Sequence, residues 1–389
     1  MFFIIFSIII TTLSSQNIWE LSSTIDNATH RTIKKFEVVD TNTIFFISTG
    51  GLPNFLFQSK DKGKTWKLVN DLTKYNVSSV RDIVVFDSII YVSFGKGVIL
   101  KSNNYAETFE KIELEYKKTI DDLIMFDVDV GFANMPLDKY TTLNGWESST
   151  KITFPFYLNM TNPKRYKDYK IYSIIFNFGD EIFSDPVYQF AKIDVLNETI
   201  ETKDIYRMDY NDLEILNDSV FYLCGNKDDI RGGSGHDAIF KTTDAGKTWR
   251  TILDLYADWN KIPNIHNLKK PSPFGLQDIA FKNDSVGIAV GQFGKILYTY
   301  DGGESWFYEQ KLPGEIDSLS PPTMLITYAG DQAILGTYNG QVYTLKEDNL
   351  APKPEDTLTI SGKILTEDSL AKSNIPIRLN SNRITMTDE

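Results

Sequence analysis

Cysteine is nearly absent from this chain, since Cys224 is the single example among 389 residues. One cysteine cannot form an intrachain disulfide, so the fold cannot depend on a disulfide framework. Eukaryotic secreted proteins use disulfides freely, so this shortage favours a bacterial source if the chain is exported.

Positive charge is also scarce. The sequence has 40 lysines and arginines against 52 aspartates and glutamates, for a net charge of −12. Nucleic-acid binding needs a basic stripe, so the composition argues against that class of partner. Hydrophobic residues make up 42% of the chain and aromatic residues 13%, which is enough to bury a sizeable core.

Long apolar runs are missing except at the start. Residues 1–13 are nearly all apolar, and Ser14-Ser15-Gln16 follows. The run is shorter than the roughly 20 residues that a membrane span needs, so it predicts a signal peptide over residues 1–16, although no positive charge precedes it. The alternative is a membrane anchor. With the signal removed, we expect no membrane span and a location that is secreted, periplasmic or on the bacterial cell surface.

What the chain has instead is a recurring string. Residues 59–66 read Ser-Lys-Asp-Lys-Gly-Lys-Thr-Trp, and the pattern Ser/Thr-x-Asp-x-Gly-x-Thr/Ser-Trp returns at 242–249 and 299–306. Such recurrence indicates a repeat architecture. The Asp can accept backbone N–H groups, the Gly suits a left-handed backbone, and the Trp carries apolar area into the core. The string is therefore expected to be a tight turn whose structural residues are Asp61, Gly63, Trp66, Asp244, Gly246, Trp249, Asp301, Gly303 and Trp306.

These strings resemble the Asp-box, or BNR, repeat. In families that carry it, the box lies between the third and fourth strands of a β-propeller blade, on the face away from the functional site. The resemblance therefore implies that the most conspicuous residues are structural. Eroded copies of the string stand at 102–109 and 142–146.

The repeat also predicts the number of blades. Strand-turn-strand patterns such as 82–92 and 212–222 place blades near 35–69, 80–114, 120–153, 168–206, 212–253, 276–310 and 324–347. The seventh lacks an outer strand, and Ile18-Trp19-Glu20-Leu21 resembles the strand opening at 65–68, so an N-terminal strand is expected to complete that blade and close the ring. The prediction is an all-β, seven-bladed β-propeller over residues 17–350, with six or eight blades as alternatives. It is similar to the propellers of the photosystem II assembly factor-like and sortilin-like group.

The end of the chain has a different composition. Residues 351–357 form a polar linker with two prolines. Residues 358–389 resemble the start of a carboxypeptidase-regulatory-like β-sandwich, but they are too few to bury a sandwich core. We expect either an incomplete C-terminal module of a longer protein or a disordered acidic tail.

Binding is expected on the face opposite the boxes, where the loops between second and third strands and the links between blades lie. The long loop 225–237 belongs to blade five, and the long link 254–271 joins blade five to blade six on the same face. Trp259 is the one tryptophan without a repeat role, so it could stack on a sugar, anchor a partner, or pin its own loop. The candidate binding residues are Arg231, His236, Asp237, Trp259, His266, Lys269 and Lys270.

A second set consists of four aspartates at one repeat position, where the innermost strand begins. These residues, Asp82, Asp122, Asp212 and Asp278, are expected to ring a mouth of the central channel. They could bind a cation or supply paired acids for glycoside hydrolysis. Alternatively, each could accept hydrogen bonds from the backbone of the next blade.

Two functions remain open. The first is a non-catalytic propeller that binds an envelope or extracellular protein or a glycan, as the resemblance implies. The second is a glycoside hydrolase, although a sialidase is disfavoured because no Arg-Ile-Pro motif occurs. Xyloglucanase-type hydrolases of this kind pair two propellers around a cleft, and only one fits here. No cofactor and no metal site are predicted.

Overall fold

The protein is described here by a computed structural model that covers residues 18–24, 32–49, 53–136, 138–153, 159–177, 187–205, 208–227, 236–258, 262, 275–292, 295–308, 312, 324–346, 377–378 and 384–385. Within these residues, 28 strands form seven four-stranded antiparallel sheets. Each sheet is one blade of a β-propeller, and its first strand lines the central channel. The predicted all-β, seven-bladed propeller is therefore confirmed, and the six- and eight-bladed alternatives are not.

The strands follow one another outward in each blade. Blades one to three contain Thr32–Val38, Ile44–Thr49, Phe55–Ser59 and Lys67–Asp71; Val80–Phe86, Ile89–Phe94, Val98–Ser102 and Glu110–Glu113; and Asp122–Met125, Val130–Met135, Asp138–Leu143 and Thr150–Ile152. Blades four and five contain Asn159–Tyr166, Lys170–Asn177, Val187–Asp194 and Thr199–Asp204; and Met208–Ile215, Phe221–Lys227, His236–Thr242 and Arg250–Asp254. Blades six and seven contain Leu276–Phe281, Gly287–Gly291, Lys295–Thr299 and Phe307–Tyr308; and Met324–Ala329, Gln332–Thr337, Gln341–Leu345 and Trp19–Thr24.

Helical structure in this part of the chain is limited to three short turns, Leu72–Tyr75, Gly95–Gly97 and Leu255–Asp258. None of the described helices is long and apolar enough to cross a membrane.

The ring closes as the sequence predicted. Trp19–Thr24 is the outermost strand of blade seven and pairs antiparallel with Gln341–Leu345. The indole Nε1 of Trp19 donates to the hydroxyl of Tyr298 in blade six at 2.6 Å. Closure gives the outer edge of Gln341–Leu345 a partner, which an open ring would leave exposed.

Blade four differs from the prediction at its inner edge. Its innermost strand is Asn159–Tyr166, whereas the sequence pattern placed the start of this blade at residue 168. The strand contains Pro163 and few apolar residues, and its pairing register shifts between Thr161 and Lys164. The period-two pattern that identifies strands is therefore broken there.

The hydrophobic core is divided among the blade interfaces. Within the described residues, a cluster of buried side chains fills each of the seven contacts between neighbouring blades. Burying an aliphatic or aromatic side chain stabilises a fold by about 1.5–3 kcal/mol. The ring is thus held together mainly by packing between blades.

The repeated string forms the turn between the third and fourth strands, which we call the box turn (residues 59–66, 242–249 and 299–306). In the first copy, Ser59 Oγ accepts the N–H of Gly63 at 2.9 Å, and Asp61 Oδ1 accepts the N–H of Thr65 at 2.8 Å. The same bonds recur in blades five and six. Each box glycine has a positive φ and packs on the preceding blade, at Ile334, Phe190 or Ile252.

Two eroded copies keep this network with asparagine in place of aspartate. Asn104 Oδ1 accepts the N–H of Thr108 at 3.0 Å, and Asn144 Oδ1 accepts that of Ser148 at 3.0 Å. Trp146 takes the place of Gly63 rather than that of Trp66, because its N–H donates to Thr142 Oγ1 at 2.9 Å and its φ is 71°. Trp146 therefore lies inside the box turn and does not open the following strand.

The chain divides into residues 17–350, which hold the propeller, and a second unit of residues 1–16 and 351–389. Of that unit, the structure describes only the antiparallel pair Ile377–Arg378 and Ile384–Thr385. The expected signal peptide and the linker lie outside the described residues, and the truncated β-sandwich remains a prediction.

Candidate functional site at the channel mouth

A polar cavity of about 770 Å³ occupies the centre of the propeller. It is lined by the innermost strands of all seven blades, from the mouth opposite the box turns inward. Concave sites with converging polar groups are the usual places for ligand binding, so this cavity is the candidate site.

β-Bulges shape the mouth. Within the described residues, the pairing of the innermost strand with its neighbour is interrupted by a register shift in blades one, two, four, five and six. A bulge leaves residues unpaired and redirects their side chains. The unpaired residues all line the cavity, and they are Lys34, Arg81, Asn162, Pro163, Asn211 and Gln277.

The bulge residues differ in whether their side chains already form hydrogen bonds within the protein. The amide of Asn162 donates to the carbonyl oxygen of Asn211, and the amide of Asn211 donates to that of Leu276 at 2.5 Å. Blades four, five and six are therefore tied to one another at the mouth. Lys34 on the opposite side is exposed to solvent.

The next layer contains the four aspartates predicted to ring the channel, and all four line the cavity. Asp82 Oδ2 accepts the N–H of Leu123 in the next blade at 2.9 Å. Asp278 Oδ2 likewise accepts the N–H of Ile326 in the next blade at 2.8 Å. These two carboxylates connect neighbouring blades, which is the structural role that the sequence left open.

The other two aspartates behave differently. Asp122 accepts the side-chain amide of Asn134 in its own blade at 2.7 Å, and burial raises its pKa to about 6. Asp212 forms an ion pair with Lys164 of blade four at 2.8 Å. Asp212 also shares a side-chain hydrogen bond with Asp278, whose pKa is raised by burial and by this neighbouring carboxyl group.

Two lysines share the repeat position of these aspartates. Lys35 in blade one and Lys164 in blade four each directly follow a bulge, as Asp82 does in blade two. Lys35 Nζ lies 2.5 Å from Asp82 Oδ1. Burial alone would lower the pKa of each ammonium, but the neighbouring carboxylates outweigh that effect and raise both pKa values.

Sequence reasoning missed these lysines. An alignment of blades one and four with blades two, three, five and six would have shown them, because lysine occupies there the repeat position that aspartate occupies in those four blades. The alignment was hard to see because the charge at this position changes from negative to positive. The innermost strand of blade four was also not recognised.

Two glutamates lie two residues further along the channel. Burial raises the pKa of Glu214 to about 7 and also raises the pKa of Glu37. With Asp121, seven carboxyl groups line the described part of the cavity, against five basic side chains: Lys34, Lys35, Arg81, Lys164 and Arg165. Nη1 of Arg165 donates to the carbonyl of Met125 at 2.9 Å. Burial and the excess of carboxyl groups both favour proton uptake near neutral pH.

The predicted blade-five site is only partly described. His236 Nε2 lies 3.1 Å from Asp254 Oδ2, and Lys227 Nζ lies 3.4 Å from the same oxygen. The ring of Tyr256 lies 5.8 Å from that of His236, and Tyr256 is 78% exposed. These four side chains form a small surface at the end of the blade. The predicted Arg231, Trp259, His266, Lys269 and Lys270 lie outside the described residues.

Asp237 does not belong to that surface. It is fully buried and forms an ion pair with Lys295 of blade six, which is also fully buried. Its Oδ1 accepts the N–H of Leu276 at 2.9 Å. The expectation that Asp237 binds a ligand is corrected, because the side chain points between blades.

No metal centre emerges from the described residues, since no three His, Cys, Asp or Glu side chains there could hold an ion together. The chemistry available in the channel is that of carboxyl groups, ammonium groups and amides.

No protein-family model matches the chain, and no curated protein matches it. Solved structures do. The structure described as YCF48 bound to D1 peptide has a TM-score of 0.60 at 14% identity, covering 85% of this chain and 96% of that one. An extracellular domain assigned to a one component system of B. thetaiotaomicron has a TM-score of 0.58 at 13% identity, covering 84% of this chain and 40% of that one.

A GH74 xyloglucanase from Xanthomonas campestris is also similar, with a TM-score of 0.51 at 10% identity, covering 79% of this chain and 52% of that one. At such low identity, these likenesses show the propeller fold alone. They include enzymes as well as proteins that are not described as enzymes, so the function must be argued from the side chains.

Proposed function

We propose that this chain is an exported, non-catalytic β-propeller that binds a protein or glycan partner at the mouth opposite the box turns. The observation that carries this proposal is the use of the channel carboxylates. Asp82 and Asp278 each accept backbone N–H groups through both oxygens, and two lysines pair with Asp82 and Asp212. Groups committed to the architecture in this way are poorly placed to perform proton transfer.

Three further features support a binding role. The mouth opens on a polar cavity of about 770 Å³. Bulges direct amide and basic side chains into it. One structural neighbour was solved with a peptide, which makes a protein segment a reasonable class of partner for this fold.

A matched pair of charge reversals tests the proposal. Lys34→Glu changes the mouth, and Lys60→Glu makes the same change at an exposed position on a box turn. Extracellular proteins and a glycan array would be screened with the wild-type chain and both variants. We expect Lys34→Glu to lose the captured partner and Lys60→Glu to retain it. Retention by Lys34→Glu with loss by Lys60→Glu would place binding on the other face and overturn the proposal.

A glycoside hydrolase is the second candidate. The observation in its favour is that Asp122 and Glu214 have pKa values raised to about 6 and about 7, as a general acid at neutral pH requires. Release of reducing ends from a polysaccharide panel would test it, with Asp122→Asn and Glu214→Gln expected to abolish the release. A wild-type chain that releases none removes this candidate and leaves the binding proposal intact.

A further inference from the structure

The basic side chains that line the channel cavity fall into two groups. Lys35 and Lys164 form ion pairs with neighbouring aspartates, and Arg165 donates to a backbone carbonyl. Lys34 and Arg81 also line the cavity, but they form no hydrogen bond or ion pair with any described residue. Two cationic groups at the mouth are therefore open to a partner.

Arg81 carries the stronger part of this observation. Nε of its guanidinium is buried and donates to no acceptor among the described residues, whereas neither Nη atom is buried in this way. Burying a charged donor without an acceptor is costly, and an anion bound to the same guanidinium offsets that cost. The two Nη groups are the part of the side chain that such an anion can reach.

Lys34 holds the equivalent position in the neighbouring blade. Each of the two residues directly precedes the channel residue of its strand, and each is skipped where the strand pairing shifts. Because blades one and two are adjacent, equivalent bulges place both cations on one sector of the mouth. We call this sector the basic rim (Lys34 and Arg81).

The charge around the basic rim limits which anion can bind there. The equivalent position in blade three is Asp121, which is exposed, and carboxyl groups outnumber basic groups in the described cavity. These groups would repel the second charge of a phosphate. A carboxylate carries one charge, and its two oxygens match two parallel N–H donors of a guanidinium.

The rest of the rim favours a peptide over an acidic sugar. Sugar rings commonly pack on aromatic faces, but the bulge residues described in blades four to six are amides and a proline. Among them, Gln277 forms no hydrogen bond with the described residues. Its amide can donate to and accept from a peptide backbone.

We propose that the basic rim binds a carboxylate group of a partner peptide. Arg81 donates two hydrogen bonds to it through the Nη atoms, and Lys34 supplies a second positive charge beside it. The carboxylate is either the C-terminal α-carboxylate or the side chain of an aspartate or glutamate. This inference rests on the proposed binding function and names the group that the mouth recognises.

A peptide array probed with the full chain tests the inference. Short peptides of random sequence would be displayed with a free C-terminal carboxylate, and each would be repeated as its C-terminal amide and with asparagine and glutamine in place of aspartate and glutamate. Among the peptides that the wild-type chain binds, one of the two changes should weaken binding by about tenfold or more, because charge-assisted hydrogen bonds are lost. The change that does so identifies the source of the carboxylate.

Variants of the chain provide the second arm. Arg81→Gln should weaken binding of the same peptides by about tenfold or more. Arg81→Lys should have an intermediate effect, because an ammonium keeps the charge but cannot make two parallel hydrogen bonds. Arg250→Gln is the matched control, since Arg250 is an exposed arginine beside the blade-five box turn. We expect it to change the affinity by less than about threefold.

The amidated peptides keep the test decisive even if a variant fails to fold, because they alter the ligand rather than the protein. Absence of peptide binding, binding that survives the loss of every carboxylate, or equal weakening by Arg81→Gln and Arg250→Gln would each overturn the inference. Binding of acidic glycans without binding of peptides would overturn it as well. If Lys34→Glu still abolishes capture of a partner in any of these cases, the binding function stands and only the recognition of a peptide carboxylate fails.

Discussion

Single residues in the box turns act through hydrogen bonds that do not require a negative charge. Asn104 and Asn144 occupy the position of Asp61 and make the same bond to the backbone four residues on. Their amide nitrogens also reach the hydroxyl of Thr108 or Ser148 at 2.9 Å. The turn therefore needs a planar acceptor of this length, and aspartate is one of two solutions.

Substitutions at Asp244 check this directly. Asp244→Asn should cost no more than about 1 kcal/mol, because an amide preserves the bond to the N–H of Thr248. Asp244→Ala should cost about 1–3 kcal/mol, since it removes that bond and the one from the Thr248 hydroxyl. Urea unfolding followed by tryptophan fluorescence measures both. Equal costs for the two variants would contradict the assignment.

Glycine at the fifth box position is required for two reasons that act together. Gly246 has a φ of 85°, and a Cβ there would overlap the ring of Phe190 in blade four. Gly246→Ala should therefore destabilise the chain by about 2–4 kcal/mol, which combines backbone strain with overpacking. Ala245→Gly is the control. Its φ is already 58°, so the change should stay within about 1 kcal/mol. Thermal unfolding would show the difference, and similar midpoints for both variants would refute it.

Strands, as elements, carry the contacts that join one blade to the next. In blade five, the hydroxyl of Tyr222 and the ammonium of Lys241 both donate to the carbonyl of Gly302 in the blade-six box turn, at 3.1 and 2.8 Å. In blade two, the hydroxyl of Tyr91 donates to the carbonyl of Val128 and the ammonium of Lys101 donates to that of Gly145, and both acceptors lie in turns of blade three. Side chains of the second and third strands thus hold the next turn in place.

The N-terminal strand is the element whose removal has the largest expected effect. Trp19→Ala should destabilise the chain by about 3–5 kcal/mol, because it empties a buried site and removes the bond to Tyr298. Trp19→Phe should cost less. Leu21→Ala in the same strand should stay within about 0.5 kcal/mol, since Leu21 is 43% exposed. Chemical unfolding checks the order of the three variants, and a Leu21→Ala effect as large as that of Trp19→Ala would contradict it.

Strands and turns could be predicted from the sequence where the turn residues or the alternation of apolar residues repeat from blade to blade. The turn residues of the box predicted where the third and fourth strands of a blade meet. Residues 18–21, which resemble a strand opening but have no blade before them, predicted the strand that closes the ring. The innermost strand of blade four shows no such repetition, because Pro163 and a bulge interrupt it. The channel site was predicted through its four aspartates, but Lys35 and Lys164 were not, since their role exists only across a blade interface. The burial of Asp237 against Lys295 was hidden for the same reason.

At the scale of the whole molecule, two sets of carboxyl groups have opposite effects on stability. Hydrogen bonds from Thr248 lower the pKa of Asp244 to about 2. In the channel, burial raises the pKa of Asp122 to about 6 and that of Glu214 to about 7. Carboxyl groups with a lowered pKa contribute stability that is lost as the pH falls. Carboxyl groups with a raised pKa bind protons more tightly in the folded state, so they contribute stability that is lost as the pH rises.

The pH profile of stability follows from those directions. Asp122 and Glu214 bind protons more tightly in the folded chain than in the unfolded chain, where pKa values are 3.8 and 4.5, so stability should fall as the pH rises from about 4 to 7. Below about pH 4, protonation of Asp244 should lower it again. The expected maximum lies near pH 4–5, with each channel acid contributing on the order of 3 kcal/mol.

Urea midpoints from pH 3 to pH 8 measure this profile. Asp122→Asn should flatten the decline between pH 4 and 6, and Glu214→Gln should flatten it between pH 5 and 7. Asp244→Asn should leave that decline unchanged and affect only the acidic limb. A wild-type chain that becomes more stable between pH 5 and 7 would contradict the raised pKa values.

The two strands that close the ring also limit how early the propeller can finish folding. Ser22 bonds to the carbonyl of Val342, 320 residues later in the chain. At a synthesis rate of about 5–20 residues per second, the first strand waits roughly 15–65 s for its partner to exist. The ring therefore cannot close before the last blade has been made, and the first strand stays without its partner for that whole interval.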